Sequence, residues 1–161
     1  MIARRGMSHD RSMRLRTIAP DIEALLSATA PDACRRAAVA AAEAALAASD
    51  LREPVLDLLL ERLKAGQVIE PDQRDAAWRV VESLDAVQWA LQDRIDAGEA
   101  LEEGHLGAFA QARAAAAALA AADADPSAAA LEAAYEAAFA FENRAALWAR
   151  IKAAAGDPPE R

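Results

Sequence analysis

The sequence has few of the side chains on which most enzymes and metalloproteins depend. It contains one cysteine, Cys34, and two histidines, His9 and His105. A single cysteine excludes an internal disulfide and is typical of a protein in a reducing compartment. The sequence also lacks a zinc-ligand spacing, a glycine-rich phosphate loop, a dinucleotide fingerprint and a nucleophile motif. We therefore expect no metal and no cofactor, and this inventory favours a protein without enzymatic activity.

Long apolar runs and large apolar side chains are scarce as well. No uncharged apolar run approaches the roughly 18 residues that cross a membrane, and no apolar stretch typical of a secretory signal follows the charged first residues. We therefore expect a cytoplasmic protein that does not contact membranes. The chain has three tryptophans, three phenylalanines and one tyrosine, and alanine dominates its hydrophobic fraction of 55%.

Alanine is the residue that indicates the fold class. It has the highest intrinsic helix propensity, and no segment shows the period-two alternation of a half-buried strand. A chain of 161 residues suits one domain that buries roughly 70% of the surface of the unfolded chain. The sequence thus predicts an all-α, single-domain antiparallel helical bundle of about six to seven helices. Its abundance of alanine and arginine is typical of a GC-rich bacterial genome.

Prolines and glycines mark the ends of the predicted helices. Proline suits the first turn of a helix, and glycine suits the left-handed residue that follows the last turn. We expect the leucine-rich helix after Pro54 to lie at the centre of the core. The alanine faces of the helices after Pro31 and over 101–122 would let their backbones approach closely. The predicted helices begin at Pro20, Pro31, Pro54, Pro71, near Leu101, at Pro126 and at Arg144, with Asp125 and Asn143 as N-caps and Gly66 and Gly98 as ends.

Positive charge is concentrated at the start of the chain. Residues 1–16 carry five arginines and Asp10, a net charge of +4, whereas the rest of the chain carries −12 and the whole chain −8. This division predicts a flexible basic arm over 1–16, a helical bundle over 17–156 and a short tail over 157–161. An acidic body repels nucleic acid, while a basic arm attracts it. The arginines available for phosphate contacts, or for a contact between the arm and the acidic body, are Arg4, Arg5, Arg11, Arg14 and Arg16.

Trp78 and Trp89 form the most informative pair in the longest predicted helix. Eleven residues are close to three helical turns, so both rings point in one direction. That direction lies roughly 60–120° away from the apolar arc, which runs from Ala77 to Ile95 and includes Val87. The pair therefore either packs against a second helix or docks a partner on an exposed surface, where neighbouring acids favour a basic ligand. The candidate partner-binding residues are Trp78, Glu82, Asp85, Trp89, Gln92 and Asp96.

Two other groups carry weaker chemical signals. Glu102 and His105 stand three residues apart, which is the spacing of two metal ligands on one helix. The sequence has no second pair of this kind, so an acidic first helical turn beside a surface histidine is the favoured interpretation. Cys34 lies in a first helical turn beside Arg35 and Arg36, and both features lower the pKa of a thiol. Packing as a small apolar side chain is the favoured alternative for Cys34.

Three functions remain open from the sequence. The first is a non-enzymatic protein-interaction module (an adaptor, regulator or inhibitor) that uses an acidic, partly aromatic helical face. Its partner would be another protein of basic character, and self-association is compatible with the same face. The second is a small-molecule sensor or enzyme with a pocket between helices, formed by Tyr135, Trp148 or His105. The third is a nucleic-acid-associated protein that acts through the basic arm, which the acidic body disfavours.

Overall fold

The computed structural model of this chain describes residues 13–99 and 102–156. These residues form a helical bundle in which every regular element is a helix, which confirms the predicted all-α class. Within the described ranges, no helix combines the length and the apolar character required to cross a bilayer. The helices are α1 (13–18), α2 (Pro20–Ser27), α3 (Pro31–Ala48), α4 (Pro54–Lys64), α5 (Pro71–Asp96), α6 (Glu102–Ala121), α7 (Pro126–Ala140) and α8 (Arg144–Ala155).

The helix starts follow from local side-chain chemistry. Helices α2, α3, α4, α5 and α7 each begin at a proline, whose missing N–H needs no partner in the first turn. The Asp125 carboxylate accepts a 3.0 Å hydrogen bond from the backbone N–H of Ser127 at the start of α7. The Asn143 side chain accepts a 3.1 Å bond from the backbone N–H of Ala146 at the start of α8. Both predicted N-caps are therefore confirmed.

The ends of α4 and α5 confirm the predicted role of glycine. Gly66 has a φ of 69° and Gly98 a φ of 74°, which places both in the left-handed region. Only glycine adopts this conformation without a steric cost from a Cβ atom. The chain therefore turns away from each helix immediately after its last turn.

The centre of the core is built from alanine. The largest interfaces join α7 to α3 and α6, and α3 also packs against α6 and α8. Because alanine carries only a methyl group, helices that face each other through alanine pack with little side chain between their backbones. The alanines of α3, α6 and α7 that are at most 1% exposed are Ala37, Ala38, Ala41, Ala42, Ala44, Ala45, Ala112, Ala114, Ala115, Ala117, Ala118, Ala121, Ala129, Ala130, Ala133, Ala134, Ala137 and Ala138.

The leucine-rich helix α4 lies at the periphery of the bundle, so its predicted central position is wrong. Leu56, Leu59 and Leu60 are buried, but Leu58 is 56% exposed. The contacts of α4 with α3, α5 and α6 are small beside those between the alanine-rich helices. The stripe of leucine is one-sided, whereas the methyl groups of α3 and α7 allow neighbours to pack around most of the helix.

The start of the bundle also differs from the prediction. Residues 13–16, which the charge pattern assigns to the arm, belong to α1, and Leu15 is fully buried in the core. One leucine among charged neighbours produces no periodicity, which explains why the sequence does not reveal this helix. The ordered domain therefore includes residues 13–16. Residues 1–12, with Arg4, Arg5 and Arg11, and the tail over 157–161 lie outside the described residues.

Arginines satisfy carbonyl groups at three helix ends. The last carbonyls of a helix have no partner within it, and the planar guanidinium carries several donors that can reach them. This arrangement gives many of the arginines a structural role that ties one helix end to another helix. The donors and acceptors are Arg35 with Ala121 O, Arg74 with Ala122 O, Arg144 with Ala138 O, and Arg36 with Ala154 O and Gly156 O.

Overpacking tests the alanine core. Ala41→Leu adds three carbon atoms to a fully buried position on α3, so we expect it to lower the free energy of unfolding by about 1–3 kcal/mol. Ala90→Leu makes the same change at an exposed position on α5 and should alter stability by less than about 0.5 kcal/mol. Urea unfolding of both variants measures the difference. Equal stability of the two variants would contradict close packing at α3.

Candidate functional site

A groove runs along α5, where this helix faces α6 and α7. It consists of two adjoining cavities of about 650 and 420 Å³. Asp85, Arg113 and Glu136 line both cavities and therefore mark the point at which they meet. We call the cavity that contains Trp78 the acidic half and the cavity that contains Trp89 the aromatic half.

Carboxylates dominate the acidic half. Five carboxylates and two guanidinium groups line it, which leaves a formal charge of −3. Low-dielectric walls strengthen the field of such a cluster at the groove surface. The cavity therefore attracts cations. The charged residues are Asp75, Asp85, Asp123, Glu132 and Glu136, with Arg74 and Arg113.

Aromatic rings line the other half of the groove. Trp89 of α5, Phe109 of α6, and Tyr135 and Phe139 of α7 all face this cavity. The rings of Tyr135 and Phe139 meet edge to face at a centroid distance of 5.1 Å. The guanidinium of Arg14 lies 4.2 Å from the centroid of Tyr135, within the range of a cation–π interaction. The aromatic half thus already holds one cation against a ring.

A network of ion pairs crosses the floor of the groove. Arg113 of α6 places Nη2 2.6 Å from Asp85 Oδ1 and Nη1 2.8 Å from Glu136 Oε2. Arg14 of α1 places Nη1 2.8 Å from Glu132 Oε1 and Nη2 3.6 Å from Glu136 Oε1. Two arginines and three carboxylates thereby connect four helices. This network holds the walls of the groove at a fixed spacing.

Glu136 is the most buried member of the network. Its side chain is 8% exposed, and burial raises the pKa of its carboxyl above the ordinary value, although the guanidinium of Arg113 acts in the opposite direction. Within the described residues, Arg113 Nε and Glu132 Oε2 are buried without a hydrogen-bond partner. Glu136, Arg113 and Glu132 are all charged and largely buried. Removing one partner of such a buried ion pair lowers the stability of the fold strongly, because the other charge stays buried and unpaired.

The two tryptophans are exposed, so the interpretation that the pair packs against a second helix is wrong. Trp78 is 53% and Trp89 61% exposed, so they do not fill a gap between packed helices. Trp78 lines the acidic half, Trp89 lines the aromatic half, and Asp85 lies where the halves meet. The structure therefore brings three of the six predicted partner-binding residues into one groove.

The other three predicted residues lie on α5 without lining either cavity. Glu82 is exposed. Gln92 donates a 2.7 Å hydrogen bond from Nε2 to Asp96 Oδ1 near the end of the helix. These residues extend the polar surface of α5 beyond the groove and do not build its walls.

The residues that sequence reasoning missed belong to α6 and α7. Arg113, Glu132 and Glu136 belong to the ion-pair network. Phe139 belongs to the aromatic wall, beside Tyr135, which the sequence analysis had already named as a candidate pocket residue. The periodicity of one helix does not show which helix packs beside it, so these partners of α5 were not predicted. Glu132 with Glu136 and Tyr135 with Phe139 are two i,i+4 pairs in an otherwise alanine-rich helix, and this spacing was the available signal.

Cys34 is a packing residue in this structure. It is fully buried, and its Sγ lies 3.4 Å from the carbonyl oxygens of Leu26 and Thr29. Burial raises the pKa of the Cys34 thiol, although the neighbouring charge of Arg35 lowers it. This environment opposes formation of the thiolate and supports the interpretation of Cys34 as a small apolar side chain.

His105 contacts side chains of α5 and α6. Its Nε2 lies 3.0 Å from Nε2 of the buried Gln88, and its ring contacts Phe109 at a centroid distance of 6.1 Å. Gln88 takes the inward position that the sequence pattern assigned to Val87, which is half-exposed. Across the described ranges, no three histidine, cysteine, aspartate or glutamate side chains are grouped as a metal site requires.

The residues proposed for a small-molecule pocket divide between the groove and the core. Tyr135 lines the aromatic half of the groove, whereas Trp148 packs against the core from α8. His105 does not line this cavity, but it contacts Gln88 and Phe109, which do. Tyr135 and His105 therefore lie at the same half of the groove, and Trp148 belongs to the packing of the core.

Removal of one arginine tests the ion-pair network. Arg113→Ala leaves the buried Glu136 with Arg14, at 3.6 Å, as its cation. We expect the free energy of unfolding to fall by about 2–4 kcal/mol in urea titrations, because a buried carboxylate loses its closest counter-charge. The exposed Arg79 of α5 is the matched control, and Arg79→Ala should change stability by less than about 0.5 kcal/mol. Similar values for both variants would show that the network does not stabilise the fold.

The reactivity of Cys34 tests its assignment to the core. We expect no reaction of the folded protein with DTNB at neutral pH, because the buried thiol is inaccessible and resists ionisation. In denaturing guanidinium chloride, the same reagent should titrate one thiol per chain. Rapid reaction in the native buffer would instead identify an accessible, ionised cysteine.

Comparison with known proteins assigns no family to the chain. No protein-family model matches it, and neither a curated protein nor a solved structure is significantly similar. The geometry of the groove is therefore the basis for a functional assignment.

Proposed function

We propose that this protein is a non-enzymatic interaction module that binds a basic segment of a partner protein in the groove of α5, α6 and α7. The observation that carries the proposal is the position of two largely exposed tryptophans, Trp78 and Trp89, in the two halves of one groove. Tryptophan is enriched at binding hot spots because one ring contributes a large apolar area. Exposed apolar side chains that line a groove with polar residues around it are typical of interaction sites.

The charge of the groove selects the chemistry of the partner. The acidic half has a formal charge of −3, which favours arginine or lysine over acidic and neutral side chains. Arg14 shows how the groove holds a guanidinium, because Nη1 lies 2.8 Å from Glu132 and the group stacks on Tyr135. A partner arginine has the same combination of carboxylate and ring at Asp75 and Trp78, which both line the acidic half.

The carboxylates of the groove support recognition better than catalysis. Asp85 and Glu136 are each bound to Arg113, at 2.6 and 2.8 Å. A carboxylate whose oxygen already accepts a hydrogen bond from a guanidinium is held in place, whereas a general acid or base must contact its substrate directly. The groove therefore offers a fixed negative surface to a ligand.

The basic arm is a weaker candidate for nucleic-acid binding than its composition indicates. Arg14 is paired with Glu132, and Arg16 lies 3.3 Å from Glu23. These arginines are neutralised within the molecule, which reduces the number of cations available for phosphates.

An interaction module with one cysteine is also compatible with a cytoplasmic location.

Peptide binding tests the proposed function. We expect a fluorescent amphipathic peptide of arginine and leucine to bind the protein, and the matched peptide with glutamate in place of arginine not to bind. Trp78→Ala with Trp89→Ala should weaken binding at least about tenfold in fluorescence anisotropy, because both hot-spot rings are lost. Thermal unfolding should change little, since both side chains are largely exposed.

Two variants on α4 control for nonspecific effects. Leu58→Ala removes an exposed apolar side chain outside the groove, and Asp57→Asn removes an exposed charge there. Neither should change peptide affinity, whereas Asp75→Asn in the acidic half should lower it. Equal binding by the wild type and the double tryptophan variant would refute the docking surface.

A further inference from the structure

We propose that the basic segment of residues 1–12 occupies the groove within the same molecule and must be displaced by a partner. Arg4, Arg5 and Arg11 are its cationic groups. This inference rests on the proposed function, because it assigns a competing ligand to the same groove. The segment would thereby set the apparent affinity of the protein for basic partners.

The position of α1 directs the segment towards the groove. Arg14, the second described residue, lines the aromatic half, and Met13 beside it is 46% exposed. The chain that precedes Met13 therefore starts at the edge of the groove. Its nearest arginine in sequence, Arg11, is three residues from Arg14.

Arg14 is the structural precedent for the contact. Its guanidinium bonds to Glu132, lies 3.6 Å from Glu136 and covers the ring of Tyr135. This arginine belongs to the same basic run of sequence as Arg11, and the groove already binds it. The other arginines of the run present the same chemical group to the remaining carboxylates.

The charge of residues 1–12 is opposite to that of the acidic half, and the length of this segment is sufficient to reach it. Residues 1–12 contain three arginines and Asp10, a net charge of +2, opposite a cavity of −3. Twelve extended residues span up to about 40 Å, which equals the length of the 26-residue helix α5 at 1.5 Å per residue. Arg4 and Arg5 therefore reach the acidic half from the edge of the aromatic half.

Intramolecular attachment makes such a segment an effective competitor. A short tether holds a ligand at a millimolar effective concentration, so weak individual contacts suffice for high occupancy. If the segment fills the groove in about nine molecules of ten, a partner binds about tenfold more weakly than to the open groove. Basic partners with only one or two contacts are thereby excluded.

The full-length variant Arg4→Gln, Arg5→Gln, Arg11→Gln tests the competition. We expect it to bind the arginine–leucine peptide about tenfold more tightly than the wild type in fluorescence anisotropy, because the groove is released. The corresponding triple lysine variant keeps the charge and should stay close to wild-type affinity. Arg79→Gln, which removes an exposed charge of α5, should leave the affinity unchanged.

Indole N–H resonances provide a readout that needs no partner. The chain has three tryptophans, so ¹H–¹⁵N spectra contain three indole signals. The triple glutamine variant should shift the signals of Trp78 and Trp89 and leave that of Trp148, which packs against the core from α8. A synthetic peptide of residues 1–12 added to the full-length triple glutamine variant should reverse these shifts.

The outcomes separate this inference from the proposed function. Equal peptide affinities of the wild type and the triple glutamine variant, with unchanged indole signals, would overturn the intramolecular contact and leave the function intact. Failure of the peptide to bind either form would overturn the proposed function. Indole shifts that grow with protein concentration would assign the segment to a second copy and contradict the intramolecular contact.

Discussion

Close packing of helices through alanine is the constraint on which the rest of this structure depends. Helices α3, α6 and α7 meet through methyl groups, and each such contact buries little apolar area compared with leucine or phenylalanine. Stability therefore requires these helices to be covered on most sides. Trp78 and Trp89 lie on α5, outside these alanine interfaces, and both remain largely exposed.

Arginine compensates for the small size of the core side chains. Arg14 and Arg113 span the distance between helices that alanine leaves open and join four of them through carboxylates. Arg35 and Arg74 reach the terminal carbonyls of α6 from two different helices. The guanidinium presents several donors in a fixed planar arrangement, whereas the ammonium of lysine is a compact charge without fixed donor directions. The preference for arginine in this chain thus has a structural consequence.

The sequence predicted local structure well and tertiary neighbours poorly. Pro31 and Asn143 act within one turn of their own position, so the helix starts follow directly from residue type. The burial of Leu15 and Gln88 depends on which helices pack against them, and periodicity in one segment contains no such information. The tryptophan pair could be identified from the sequence because both rings lie on one helix, where the spacing of residues determines their direction. Its counterpart Glu136 lies on another, and only the fold brings the two surfaces together.

The spacing of the tryptophans has a consequence for the size of the ligand. Eleven helical residues separate Trp78 from Trp89, a distance of about 16 Å along α5. An extended peptide covers this distance with about five residues, whereas a dipeptide is too short to do so. If the groove binds peptides as proposed, segments of about five residues or more would be favoured over shorter ones, because only the longer segments contact both rings.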